Sequence, residues 1–518
     1  MRLGIDLGTT RTVVAAVQGG SYPLASFEAE GAVREWIPGV AAQIDGAIAF
    51  GWEAVARASE AQGVVRSIKR AVADVAPDDP ISALPSRPTA LALMTGFVEH
   101  VASAVRASSL DVPAGEPFSA AIAVPANATS RQRWLTIEAC RRAGIDVLSV
   151  VNEPTAAGIE YAHRHLGALN KRSPKRYVVV YDLGGGTFDT SAISLRGRHF
   201  DLLATEGIGR LGGDDFDDAL LALALARGGI DASSLTSVDR ARLADAARAA
   251  KEAMTTSSRN VMLDVGTVIP DAAPIVLPAT EVLAACEPLV ERTIATVDRL
   301  FASLPAHGID PEDARQLGAV YVVGGGASFA GVIKALRARL GRKVLLAPIP
   351  YAATAIGLAV AADPDAGVLV HENVTRHFGV WREAAGGREK IFDPIFDKDA
   401  ALAASESESE GERRPERVVR RRYRPRHNVG HLRFLECSSL DAQGVPNGEL
   451  TPWREVCFPY DPALRDRTDL DRAVAPSPAL AHEEIEETYR YTDAGAITVT
   501  IANLTRGYAR VYDLGRME

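Results

Sequence analysis

Leu3-Gly4-Ile5-Asp6-Leu7-Gly8-Thr9-Thr10 ends an apolar, strand-like run in a carboxylate and then in a tight turn of bare backbone amides. Residues 181–189, Tyr-Asp-Leu-Gly-Gly-Gly-Thr-Phe-Asp, repeat the arrangement after a second apolar run, Tyr177 to Val180. A carboxylate at a strand end suits Mg²⁺, which wants octahedral oxygen ligands, keeps several waters and binds through one or two carboxylates plus nucleotide phosphates. Asp6 and Asp182 hold those positions. Glycines at 8, 184, 185 and 186 let the chain turn tightly and bring N–H groups to phosphate oxygens, forming an anion-binding nest. Thr9, Thr10 and Thr187 add hydroxyl donors. A single Asp-x-Gly stretch is more often a hairpin with an exposed aspartate. Two, far apart in the chain, point to two halves facing one nucleotide.

At 518 residues the chain exceeds one ordinary core, so two to four domains are expected. Charged residues at 24% and hydrophobic residues at 47% mark a soluble globular protein. The net charge of −9 argues against general nucleic-acid binding, which relies on cationic surface. Asp6 interrupts the apolar start, so no signal peptide is read, and the long uncharged stretch Leu317 to Ile333 carries Gly324, Gly325 and Gly326 and reads as strand, turn and helix, not as a membrane span. Four cysteines, at 140, 286, 437 and 457, lack metal-ligand spacing and fit a reducing cytoplasm.

Residues 1–362 alternate apolar strands with Ala-rich helices in an α/β manner. Ala120 to Val124 reads as a buried strand closed by Pro125, and Ser130 to Ala143 as a helix capped by Thr129 or Ser130 and stopped at Gly144. Val147 to Val151 follows, then Asn152 to Gly158 opens a helix whose first turn accepts Pro154. Ala319 to Val323 is a strand feeding the Gly324 turn, with helices Gly331 to Leu340 and Ala352 to Ala362 behind it.

In this order the motifs resemble DnaK-type heat-shock chaperones of the actin, sugar-kinase and heat-shock ATPase superfamily. The resemblance runs through Gly4 to Thr10, Asn152 to Gly158, Asp182 to Asp189, Val322 to Gly326 and Ala352 to Ala362, with family-like stretches at Ser67-Ile68-Lys69-Arg70, Ile122 to Ala126 and Leu211 to Asp217. It implies an ATPase of two lobes, with duplicated ribonuclease H-like sheets, closing on Mg-ATP. Asp6 and Asp182 would organise the metal, while Glu153, Thr187 and Asp189 would place the attacking water. Gly8, Thr9, Thr10, Arg11, Gly184, Gly185, Gly186, Lys251, Thr255, Gly324, Gly325 and Gly326 would hold ATP or ADP, and Pro125 with Arg133 would relay nucleotide state.

Departures from the family pattern carry their own expectations. Counting four residues from Gly51 puts Val55 where the family has its catalytic lysine, with Arg57 two positions on as a non-equivalent substitute, which implies slow or altered hydrolysis. Glu252, Arg248, Ser328 and Tyr351 stand where the family has other nucleoside-contacting residues. A linker is expected over 363–373, with Val368, Leu369 and Val370 as its apolar coupling segment, followed by a β-rich, sandwich-like domain over 374–518. Strand-like pieces there are Val374 to Trp381, Arg417 to Tyr423, His431 to Cys437, Thr488 to Thr492 and Ala496 to Ala502, and a hairpin is read at Tyr491 to Val499. The acidic run from Ala403 and the basic run Arg413 to Arg426 read as a solvated loop, as does the Pro-rich 459–478. The chain ends directly after the last strand-like stretch, so no helical lid is expected. Partners implied are unfolded or extended polypeptides, a J-domain co-chaperone and a nucleotide-exchange factor, with no nucleic acid and no membrane. Two readings stay open: a coupled ATPase chaperone, or a nucleotide-binding scaffold that hydrolyses little and docks a dedicated partner.

Overall fold

The computed structural model describes residues 1–73, 75–126, 128–165, 174–195, 199–266, 268–269, 272–371, 376–384, 389–398, 416–492 and 497–514. They form two compact units, one of Met1–Lys69, Ser103–Ala123 and Val151–Val370, the other of Arg70–Ala102, Val124–Val150 and His371–Glu518.

The first unit is built twice from one plan. β1 (Arg2–Leu7) and β2 (Arg11–Ala16) form an antiparallel hairpin with Leu3 opposite Ala16 and Leu7 opposite Thr12, and β3 (Phe118–Val124) runs parallel on the other side of β1. β4 (Tyr177–Leu183) and β5 (Phe188–Ser194) form the second hairpin, with Asp182 opposite Asp189. Here the parallel neighbour of β4 is Leu317–Val323. Between them in the chain lies β6 (His199–Ile208), so that Leu317–Val323 is β7, followed by β8 (Val344–Leu346) and β9 (Leu369–His371). The second sheet runs β8-β7-β4-β5-β6-β9. Strands flanked on both sides must be apolar on both faces, and every residue of β7 is buried.

Helices Glu153–His165 and Ala353–Ala362 cross at small residues. A Cβ on Gly357 would lie 1.8 Å from the Ala156 carbonyl oxygen, and one on Gly4 would lie 2.2 Å from the Ala359 amide nitrogen. The Ala-rich composition of both helices is thus required by backbone-to-backbone packing against each other and against β1. The expected strands and helices of residues 118–165 and 317–362 all form, within a few residues of the expected ends.

In the second unit β10 (His377–Ala384), β11 (Glu389–Phe396), β13 (Val429–Leu440) and β14 (Pro446–Pro459) make a sheet ordered β11-β10-β13-β14. A second sheet orders β12 (Glu416–Tyr423), β15 (Ile485–Thr492), β16 (Ile497–Asn503) and β17 (Tyr508–Asp513) as β12-β15-β16-β17. Alternation sets the inward faces: Ile497, Val499 and Ile501 are fully buried, and Phe378 stacks on Phe434 with centroids 5.7 Å apart. Within the basic run the strand expected at Arg417 to Tyr423 forms and the loop reading does not hold there, because every residue of β12 from Glu416 to Tyr423 pairs with β15. The acidic tract at 403–412 and the turn 493–496 of the expected hairpin lie outside the described residues. Between 459 and 480 the chain makes short 3-10 turns, in line with the expected loop.

Helix Ser130–Arg142 belongs to the same unit. Thr129 and Gln132 close a capping box at its start. The Glu436 carboxylate of β13 accepts from the Ser130 backbone N–H at 3.3 Å, from the Ser130 hydroxyl at 3.0 Å and from the Trp453 indole N–H at 3.2 Å. A buried anion is tolerable only with such donors and at the positive end of a helix. Burial nonetheless raises its pKa against the lowering pull of Arg376 and Ser130.

Candidate functional site

The first unit holds a cleft with about 860 Å³ of space, its open mouth included. Both hairpin turns reach it. Gly8, Thr9 and Thr10 line it from the first, and Gly184, Gly185 and Thr187 from the second. The turns pack against each other tightly: a Cβ on Gly185 would sit 2.0 Å from Thr10 Oγ1. Gly186 sits just behind the wall, where a Cβ on Gly212 would come within 2.3 Å of its amide nitrogen. Gly324, Gly325 and Gly326 line the cleft as well, Gly324 with φ +90°, a backbone that side-chain-bearing residues rarely adopt.

Asp6 and Asp182, each the penultimate residue of its strand, converge on this cleft with Glu153 from the start of its helix. Burial pushes both aspartates up to about 8, and the negative charge of Glu153 adds to the effect on each. Asp6 Oδ1 is buried without a hydrogen-bond partner. An orphaned carboxylate oxygen in an anionic cluster fits a cation, and these residues suit Mg²⁺. Asp189 stands opposite Asp182 in the hairpin, and its charge helps raise Asp182, but it does not line the cleft.

The cationic partner of this cluster is Lys69. Its ammonium lies 2.5 Å from Glu153 Oε1, both side chains being largely buried. Burial pulls its pKa down, yet the charges of Glu153 and Asp6 outweigh that and leave it raised. This corrects the register that gave Val55 the lysine's place. Val55 is 40% exposed and outside the cleft, and Arg57 is engaged with Glu60, Glu53 and Asp45. Counting from Gly51 fails because a helix, Gly51–Ala56, and a short strand, Gly63–Val65, fold between it and the cleft wall. The signal was present in Ser67-Ile68-Lys69-Arg70, whose lysine follows that strand.

At the other end of the cleft Arg11 starts β2, with its guanidinium 4.8 Å above Trp36 and 2.7 Å from Glu252 Oε1. Lys251 donates to the Gly213 carbonyl at 2.6 Å and pairs with Asp217 at 2.6 Å. Arg248 is tied to Asp214 and Asp217. Tyr351 lines the cleft and donates to Glu35 at 2.5 Å. Thr255 is not brought there: its hydroxyl is within bonding distance of Ser257 and Ser258, and neither it nor Ser328 lines the cleft. The reason is local, since the helix ends at Glu252 and the chain turns away. Pro125 and Arg133 lie in the second unit, Arg133 only 4% exposed. Of the expected linker, Leu369–His371 forms β9, the edge strand beside β6.

A family model for Hsp70 protein matches residues 111–377, just over half of the chain. The chain belongs to the Hsp70 family. Relatives include a chaperone protein HscA homolog of Variovorax paradoxus, 33% identical over 380 residues, and one of Bordetella pertussis, 36% identical over 384 residues. These alignments take in 70% and 71% of this chain and 58% of each relative, so the chain spans under two thirds of their length. The twin-sheet first unit and the β-rich second unit fit the Hsp70 plan of actin-like ATPase lobes followed by a β domain.

Proposed function

We propose that the chain is an ATP-driven, chaperone-like protein that binds Mg-ATP in the cleft, hydrolyses it and couples nucleotide state to the holding of extended polypeptide segments. The observation that carries the proposal is the meeting of Asp6, Asp182, Glu153 and Lys69 in one cleft lined by two glycine-rich turns. Phosphoryl transfer needs positioning and charge stabilisation more than covalent chemistry. The backbone amides of residues 8–10, 185 and 187 would hold phosphate oxygens, and Thr10 and Thr187 would add hydroxyl donors. Asp6 and Asp182 would hold Mg²⁺, which would supply neutralising charge to the phosphates. Glu153 and Thr187 orient the attacking water, with Asp189 behind Asp182. Lys69 offsets negative charge as it builds on the transferred group.

Arg11, Lys251 and Gly324 to Gly326 form the nucleoside end. The second unit supplies the polypeptide-holding sandwich, with a J-domain protein and an exchange factor as partners and the cytoplasm as setting. Steady-state ATP hydrolysis by the full chain, with and without an unfolded polypeptide, tests this. Turnover abolished by Asp182→Ala and stimulated by the polypeptide is the expected result. The alternative, a nucleotide-binding scaffold with little hydrolysis, is favoured by the altered nucleoside end, where Glu252 pairs with Arg11. Tight ATP binding without turnover would select it.

A further inference from the structure

Strand β12 lies at the edge of its sheet, paired along its whole length with β15 and with no strand on its other side among the described residues. Its inward side chains are committed. Val419 and Tyr423 pack against the sandwich core, and Arg421 donates to Asp393 and to the Pro394 carbonyl. The outward side chains are Val418, 38% exposed, and then Arg420, Arg422 and Arg424, with Arg426 beyond, all exposed. Only Arg422 is neutralised, by Glu486 at 2.6 Å; Arg420, Arg424 and Arg426 have no ion-pair partner among the described residues.

A charge on an edge strand commonly serves to block accidental pairing, and one is enough for that. Arg420 and Arg422 on the outward face of the strand, with Arg424 and Arg426 exposed just beyond its end, do more than block, because three of these four charges have no acidic partner among the described residues in a chain whose net charge is −9. In an extended strand alternate side chains are about 6.6–6.8 Å apart. A second extended segment with carboxylates at alternate positions would present one acid to each arginine while its backbone filled the open edge, and Arg is well suited to grip carboxylate in two-point contact.

We propose that the outer edge of β12 is a docking site for an extended, acidic polypeptide segment that adds to the sheet as a fifth strand. The occupant is a polypeptide and not nucleic acid, since the arginines sit beside an unpaired backbone edge and no aromatic side chain is interleaved with them on the outward face. The site lies in the second unit and does not depend on nucleotide, so it stands or falls apart from the ATPase reading.

The test uses the full chain and a fluorescein-labelled Ser-Glu repeat of eight residues, extending the pattern that Ser405 to Glu410 carries. Fluorescence anisotropy is expected to show saturable binding that weakens as salt rises. Arg420→Glu with Arg424→Glu is expected to weaken it more than tenfold while the far-ultraviolet circular dichroism and the ATP-binding signal stay unchanged. A peptide with glutamine for glutamate is expected to bind poorly. So is one with proline at two central serines, since proline removes the N–H that a strand donates. Absence of binding, indifference to the charge reversal, or equal binding of the proline peptide would overturn the proposal. Preference for a single-stranded oligonucleotide over the acidic peptide would overturn it too.

Discussion

Replacing Lys69 with alanine removes the one lysine that stands among Asp6, Asp182 and Glu153. Its ammonium is 2.5 Å from Glu153 and about three-quarters of its side chain is out of water, so its charge acts with little screening. Loss of one preorganised donor aimed at developing charge lowers kcat by about 10²–10³-fold, or roughly 2.7–4 kcal/mol of transition-state stabilisation. Nucleotide affinity should fall much less, because the amides of both turns remain. Lys69→Arg should recover only part of the rate, since a planar guanidinium cannot occupy the place of a compact ammonium. The assay is single-turnover hydrolysis of pre-bound ATP, paired with an equilibrium titration of a fluorescent nucleotide and a thermal melt to establish folding. Arg57→Ala serves as the control, because Arg57 is held at the surface by Glu60, Glu53 and Asp45 and should leave the rate unchanged. Retention of more than a tenth of the rate by Lys69→Ala, or an equal loss in Arg57→Ala, would refute the assignment.

Three further outcomes are expected. Arg11→Ala breaks the half-exposed pair with Glu252 and the contact over Trp36, together about 1 kcal/mol after screening, so urea unfolding should show a loss of about that size, and an unchanged unfolding midpoint would contradict the contacts. Gly357→Val drives a branched side chain into the Ala156 carbonyl at 1.8 Å; a loss of at least about 3 kcal/mol, read as a collapse of the thermal midpoint or of soluble yield, is expected, and near-native melting would contradict the crossing. Glu436→Ala leaves the Ser130 and Trp453 donors unpaired in a buried site and should cost about 3–5 kcal/mol, whereas Glu436→Gln should cost about 1–3 kcal/mol in urea unfolding. Because burial raises the Glu436 carboxyl above its ordinary 4.5, the stability it contributes is complete below that value and fades as pH climbs through the raised one. Glu436→Gln should therefore lose less stability than the parent between pH 4.5 and neutrality, and identical pH slopes would count against the buried carboxylate.

Much of the cleft was legible in the order of residues. A strand ending in Asp6 or Asp182 followed by a glycine turn states its backbone geometry locally, and the two hairpins form with the expected ends. The same holds for Asn152 to Gly158, where a proline and small residues specify a helix start. Counting along the chain from Gly51 was misleading, because the intervening residues fold back through a helix and a strand before the chain enters the cleft. Lys69 lies 84 residues from Glu153, and no spacing rule connects them. Thr255 is the complementary case: named beside Lys251 as a nucleotide contact, it follows the end of the helix at Glu252 and does not line the cleft.

By itself the sequence determined which segments are strands, turns and small-residue helices, because hydrophobic period, glycine and proline act on the backbone nearest to them. It also determined that two carboxylate-bearing turns exist. Only the tertiary structure decided which charges meet. The Arg11–Glu252 pair spans 241 residues and the Ser130–Glu436 contact 306, distances over which partnership depends on how sheets pack and not on local preference. The basic run Arg413 to Arg426 makes the point in one segment: its charge suggests a solvated loop and Arg417 to Tyr423 within it a strand, and pairing of Glu416 to Tyr423 with β15 decides for the strand there.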